Sequence, residues 1–161
     1  MPVQTDYALY TERGFKGQLV DEELHNVTTK IADVVIPYGT AVVRGAADNG
    51  VKIVTANTDE FVGIALRTLS GSPESDGAEQ YEVQEGANIL DFGKVYVSCE
   101  SGCAPGDKVY MRVSAGDGGS VIGALGNSAD NNGDSDTAVL VPNATWETTA
   151  TVGATAVVKL R

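Results

Sequence analysis

Apolar and polar residues alternate with a period of two along much of this chain. In residues 89–113, ILDFGKVYVSCESGCAPGDKVYMRV, Lys94, Ser98 and Glu100 alternate with Val95, Val97 and Cys99, and Lys108 and Arg112 alternate with Val109, Met111 and Val113. This spacing predicts two strands, each with one wet face carrying the charged residues. Between them Ala104-Pro105-Gly106-Asp107 puts Pro, with its fixed φ, at the second turn position and Gly, which tolerates positive φ, at the third. A type II turn requires both, so the stretch reads as a central hairpin. Tyr96 and Tyr110 share the outward parity. They read as ordinary surface aromatics or as part of a contact surface.

Residues 1–20, MPVQTDYALYTERGFKGQLV, have neither a helical stripe nor clean alternation, yet contain Tyr7, Leu9, Tyr10, Phe15, Leu19 and Val20. The segment is too apolar for a solvated tail. It reads as an extended arm on this or a neighbouring chain, or as a first strand on the domain's own sheet. In residues 21–33, Leu24, Val27 and Ile31 have helical spacing behind a possible Asp21 cap, but the β-branched run from Asn26 favours a strand over 26–32. Pro37 and Gly39 predict a turn with Pro37 at its second position. Asp48-Asn49-Gly50 and residues 57–60 mark further turns around VKIVT. In FVGIALRT, Val62, Ile64 and Leu66 are expected on one face, with Gly63 at a bulge or close approach. Residues 81–85 then lead into the central stretch. AVLVP and TAVVKL, with Trp146 between them, read as closing strands, and the alternation of Val158 and Leu160 with Lys159 and Arg161 ends the chain inside the sheet.

A chain of 161 residues suits one domain with a real core. Val, Ile, Thr, Gly and Pro dominate over helix formers, so the class is mainly β: a small antiparallel β-barrel or sandwich with an extended N-terminal arm. The arm is residues 1–20. The β domain is residues 21–161, with acidic loops at 69–80 and 114–137.

Charge narrows the partners. Eleven basic against 22 acidic residues give a formal charge of −11, which repels phosphate backbones and anionic lipid. No basic residue falls between Arg112 and Lys159, so that third of the chain faces solvent or a cationic partner. Nucleic acid and membrane are not expected partners. No apolar run approaches the ~20 residues of a membrane span, and the first residues lack a secretion signal, which places synthesis and first use in the cytosol.

Candidate chemistry is sparse. Asp130, Asn132, Asp134 and Asp136 alternate like the first oxygen ligands of a calcium loop, but Ser135 and Val141 stand where that motif needs Gly and a bidentate carboxylate. They form a weak metal candidate, and a solvated acidic loop is the expectation. Cys99 and Cys103 lack the second Cys or His pair of a zinc site, so structural thiols are expected, with a local disulfide as the alternative. Parity points Cys99 inward. Asn26-Val27-Thr28 and Asn143-Ala144-Thr145 match a glycosylation sequon by chance in a cytosolic chain. No GxxxxGK[ST] or GxGxxG opens a helix, and no GxSxG elbow exists to serve His25, the chain's only histidine. No cofactor and no catalysis are expected.

The order of segments resembles the bacteriophage capsid cement proteins, also called structural cement or head decoration proteins. The resemblance rests on FKGQLVD, IPYGTAVVRG, DEFVGIALRT, GKVYVSCESGCAPGDKVYMRV and NATWETTATVGATAVVKLR in that order. It implies a small β domain that binds the outer face of an assembled icosahedral head, commonly as a symmetric oligomer over the seams between major capsid proteins. A homo-oligomer is therefore expected, a trimer ahead of a dimer, located on the virion's outer capsid surface after assembly in the host cytoplasm. Tyr7, Leu9, Tyr10 and Phe15 are the expected arm anchors, with Tyr96 and Tyr110 as a possible sheet interface. The two cysteines and the acidic Gly/Asn loop depart from the family's pattern. The alternative reading is a carbohydrate- or receptor-binding β module on a viral surface, using an exposed aromatic such as Trp146.

Overall fold

A computed structural model of the chain describes residues 14–68, 79–114, 121–129 and 138–161. Every regular element among them is a strand. In chain order these are β1 (Asn26–Ala32), β2 (Ile36–Pro37), β3 (Ala41–Arg44), β4 (Gly50–Ile53), β5 (Phe61–Ala65), β6 (Gln80–Tyr81), β7 (Gly86–Ser98), β8 (Lys108–Arg112), β9 (Leu125–Gly126), β10 (Ala138–Trp146) and β11 (Thr155–Leu160).

The order β1-β4-β3-β5-β7, with β7 paired back to β1, closes a five-stranded barrel. Closure removes the free edges that would otherwise template association. Within it the β1–β4 pair is parallel and the others are antiparallel. β7 is long enough to serve twice. Its first half pairs with β1 and β5, and beyond Gly93, whose φ of 126° suits glycine, its second half pairs with β11 and continues the sheet as β11-β10-β8-β9. Glu100 N–H donates to Leu125 O at 2.8 Å, returning β9 to the end of β7.

β3 is buried on both faces at Ala41, Val42 and Val43, which explains its unbroken apolar run. Ala41, Val43, Ile64 and Leu90 join a large core with Val97, Met111, Trp146 and Val158. Val42, Val51, Ala65 and Ile89 join a smaller one with Ile36, Tyr38 and Tyr81 of the β2–β6 ribbon and its turn. There the Tyr38 and Tyr81 rings meet edge to face, centroids 5.0 Å apart, and Tyr81 donates its hydroxyl to Leu66 O at 2.6 Å. Burial pushes the Tyr81 phenol up to about 12.

Four local expectations need correction. β7 and β8 are not a hairpin: the Ala104–Asp107 turn forms, with Gly106 at φ 90° and Asp107 N–H donating to Ala104 O at 3.1 Å, but β11 and β10 lie between the two strands. Arg112 is not on a wet face. It is 1% exposed, its guanidinium paired with the Glu100 carboxylate. Pro37 lies in β2, and the turn comes one residue later, with Gly39 at φ 70° and the Thr40 hydroxyl donating to Pro37 O at 2.6 Å. Finally, a register shift opposite Val42 and Val43 sends Val62 to the smaller core while Ile64 and Leu66 enter the larger one. Gly63 sits at that irregularity with its α-carbon against Leu90 O, where a Cβ would collide.

Candidate functional site

The N-terminal segment reaches the body of the protein along β7. Gly17 N–H donates to Tyr96 O at 2.7 Å, Tyr96 N–H to Gln18 O at 2.9 Å and Val20 N–H to Lys94 O at 3.2 Å. Residues 17–20 thus form a short antiparallel addition to β7, with Leu19 opposite Val95. Gly14 lies on the Tyr96 ring so closely that a Cβ there would clash with it. Gly17, at φ 81°, turns the chain so that its carbonyl accepts from Arg67 N–H at 2.7 Å.

Between these glycines stand Phe15 and Lys16. Phe15 is 68% exposed, with the Arg67 guanidinium 5.0 Å from its ring centroid, a cation–π geometry. Arg67 Nη1 also meets Glu79 Oε1 at 2.5 Å. Lys16 lies against Gly39; burial lowers its ammonium pKa, and the Glu79 carboxylate works against that shift. Of the four anchor residues expected from the sequence, Phe15 is here; Tyr7, Leu9 and Tyr10 lie outside the described residues.

Beside these contacts is a groove of about 890 Å³ lined by Phe15, Leu19, Val20, Leu66 and Arg67, with Asp21, Glu22 and His25 also bordering it. Lys94 spans Asp21 at 3.7 Å and Glu23 at 3.0 Å; its hydrogen bond to Glu23 raises its pKa. His25 is exposed and donates Nδ1–H to Glu23 O at 2.8 Å.

The two sheet tyrosines are not brought together. Tyr96 opposes Val157 and is half-buried beneath Gly14, so the chain's own N-terminal segment covers part of its ring. Tyr110 opposes Leu140 and Gly126 on β8, three strands away, and Leu140 is 45% exposed. Trp146 is 1% exposed and donates Nε1–H to Gly126 O at 3.2 Å. It is a core residue and not a ligand platform, which corrects the expectation that it is exposed.

Cys99 and Cys103 are both free and buried. Cys103 donates to Thr148 O at 3.3 Å. Burial, and secondly the Cys103 contact, pushes the Cys99 thiol up to about 12, so it is neither a nucleophile nor a ready metal ligand near neutrality. Asp130, Asn132, Asp134 and Asp136 lie outside the described residues. Among the described residues no group of three or more His, Cys, Asp or Glu is placed to hold a metal ion.

Sequence reasoning missed Arg67 as the partner of Phe15 and the open strand beside it. One signal was present: Gly14 and Gly17 flank Phe15-Lys16, a spacing that lets backbone approach other backbone closely.

Comparison with known proteins adds three findings. The family model described as Structural cement protein (E217 gp24/Pam3 gp6) matches residues 3–161. A chain from the solved capsid of Myoviridae phage XM1 has a similar fold, with a TM-score of 0.74 and 18% identity over 100% of this chain and 98% of that one. A chain from the head fiber gp8.5 N base of bacteriophage phi29 superposes at a TM-score of 0.43 with 11% identity, covering 86% of this chain and 95% of that one. Curated protein sequences give no match.

Proposed function

The chain belongs to the phage structural cement protein family, and on that premise we propose that it binds the outer surface of an assembled phage head and stabilises contacts between major capsid proteins. The match over residues 3–161 carries this reading. The groove and the exposed Phe15 at the root of the N-terminal segment support it, because they offer a neighbour both apolar area and a place for an extended strand.

The role is non-enzymatic. A ligand that binds only the mature lattice stabilises that lattice by mass action. Each contact need only reach a standard interface of ~800 Å² per partner, because protomers joined in one oligomer act together through effective concentration. We assign the oligomer as a trimer, with a dimer the second choice, on the virion's outer surface after assembly in the host cytoplasm. Tyr7, Leu9, Tyr10 and Phe15 anchor the arm, and Tyr96 and Tyr110 are secondary contacts.

The test is co-sedimentation of the full chain with expanded and with unexpanded heads, beside a variant lacking residues 2–16. The reading expects attachment to expanded heads alone and its loss on deletion. Full attachment without residues 2–16 would end the role of the arm, and no attachment of the full chain would end the reading itself.

A further inference from the structure

The short strand of residues 17–20 has one edge paired with β7; on its other edge Gly17 O accepts from Arg67 N–H at 2.7 Å, and Leu19 stands open. Leu19 faces Val95, and the hydrogen bonds are made by its neighbours, Tyr96 N–H to Gln18 O at 2.9 Å and Val20 N–H to Lys94 O at 3.2 Å. In this non-hydrogen-bonded antiparallel pair the N–H and C=O of Leu19 point away from β7. Among the described residues no backbone group meets them.

Leu19 borders the groove of about 890 Å³ whose walls include Phe15, Val20 and Leu66. Asp21 and Glu22 stand on the same groove. Asp21 is shared with Lys94 at 3.7 Å, and Glu22, exposed, has no ion-pair partner among the described residues. An open strand edge, apolar walls and an unmatched carboxylate thus meet at one place, on a chain of formal charge −11.

We propose that this groove receives an extended segment of a capsid subunit, apolar at alternate positions and carrying a basic residue, which adds as a strand to the open edge at Leu19. The proposal rests on the reading of this chain as a head-binding protein. Main-chain hydrogen bonds to Leu19 give affinity, the Phe15 and Leu66 walls accept alternate side chains, and Glu22 selects a cation. The occupant is basic because the chain's overall charge and the groove's unmatched group have the same negative sign.

Hydrogen–deuterium exchange on the full chain, free and attached to expanded heads, tests this. The Leu19 amide is expected to exchange at least ~10-fold more slowly on heads, as an edge amide does once paired. Glu22→Lys, a surface change away from the core, is expected to weaken attachment by about 3- to 10-fold at low salt, with the loss shrinking as salt rises. Attachment with the Leu19 amide exchanging at its free rate overturns the strand addition while leaving head binding intact. Unchanged attachment of the Glu22→Lys chain overturns the basic occupant. A full chain that does not attach to heads overturns this proposal together with the reading beneath it.

Discussion

The Phe15 ring lies over the guanidinium of Arg67, 5.0 Å from centroid to cation, and this contact holds an exposed aromatic in a fixed place where the N-terminal segment joins the domain. Arg67 is fixed in turn by Glu79 at 2.5 Å and by its N–H on Gly17 O. Because Phe15 is exposed, the pair contributes only ~0.5–1 kcal/mol to folding. Phe15→Ala and Arg67→Ala are therefore expected to lower stability by about that amount, with a coupling energy below ~1 kcal/mol in a double-mutant cycle. Denaturant titration of the four chains checks this. Under the proposed head binding, in which Phe15 is an interface anchor, the same substitutions are expected to cost more in attachment to heads than in folding.

Gly14 permits the contact with the Tyr96 ring, and any larger residue collides with it. Gly14→Val is expected to lift the segment from β7 without unfolding the sheet, since β7 keeps β11, β5 and β1 as partners. Limited proteolysis should then cut within residues 14–20 much faster than in the parent chain, while the β-sheet circular dichroism stays unchanged. Equal cleavage rates would show that Gly14 does not control docking.

Arg112, 1% exposed, is paired with Glu100. Removing one partner strands a buried charge, so Glu100→Gln or Arg112→Met alone is expected to cost ~3–5 kcal/mol. Replacing both by apolar residues of similar volume should recover most of that loss. Urea titration of the single and double variants checks the ordering. A double variant as unstable as the singles would mean that the pair itself, and not the orphaned charge, supports the fold.

Stability should fall at alkaline pH. The Cys99 thiol has an ordinary value of 9.0 and is raised to about 12 in the fold, and the Tyr81 phenol goes from 10.0 to about 12. Between those values the unfolded chain has released protons that the folded chain retains, so raising pH favours unfolding. The contribution is intact below pH 9 and declines from there to about 12. Thermal unfolding across that window, repeated with Cys99→Ala and Tyr81→Phe, should show a shallower decline in each variant. Iodoacetamide should leave Cys99 unmodified in the native chain at pH 7.5 to 8, an expectation that follows from the thiolate being the reactive form.

What the sequence determined was local. Pro105 fixes its own φ through its ring and Gly106 tolerates the positive φ of 90° that the turn needs, so the turn at 104–107 forms wherever its flanking strands go. The β-branched run from Asn26 yields the strand at 26–32 in spite of its helical spacing. The all-strand class followed from the same local preferences, and the order of segments was enough to mark the family.

Tertiary structure alone decided what lies next to each strand and over each face. Alternation says that Arg112, Tyr96 and Lys94 share a side, but not that Glu100 meets Arg112, that Gly14 covers Tyr96, or that β10 and β11 come between β7 and β8. Those neighbours lie from a dozen residues (Glu100 to Arg112) to many dozens (Gly14 to Tyr96) away along the chain, and strand pairing at such separation is chosen by the fit of whole faces and the closure of the barrel. The open edge at Leu19 has the same origin, since it depends on which side of the short strand β7 occupies.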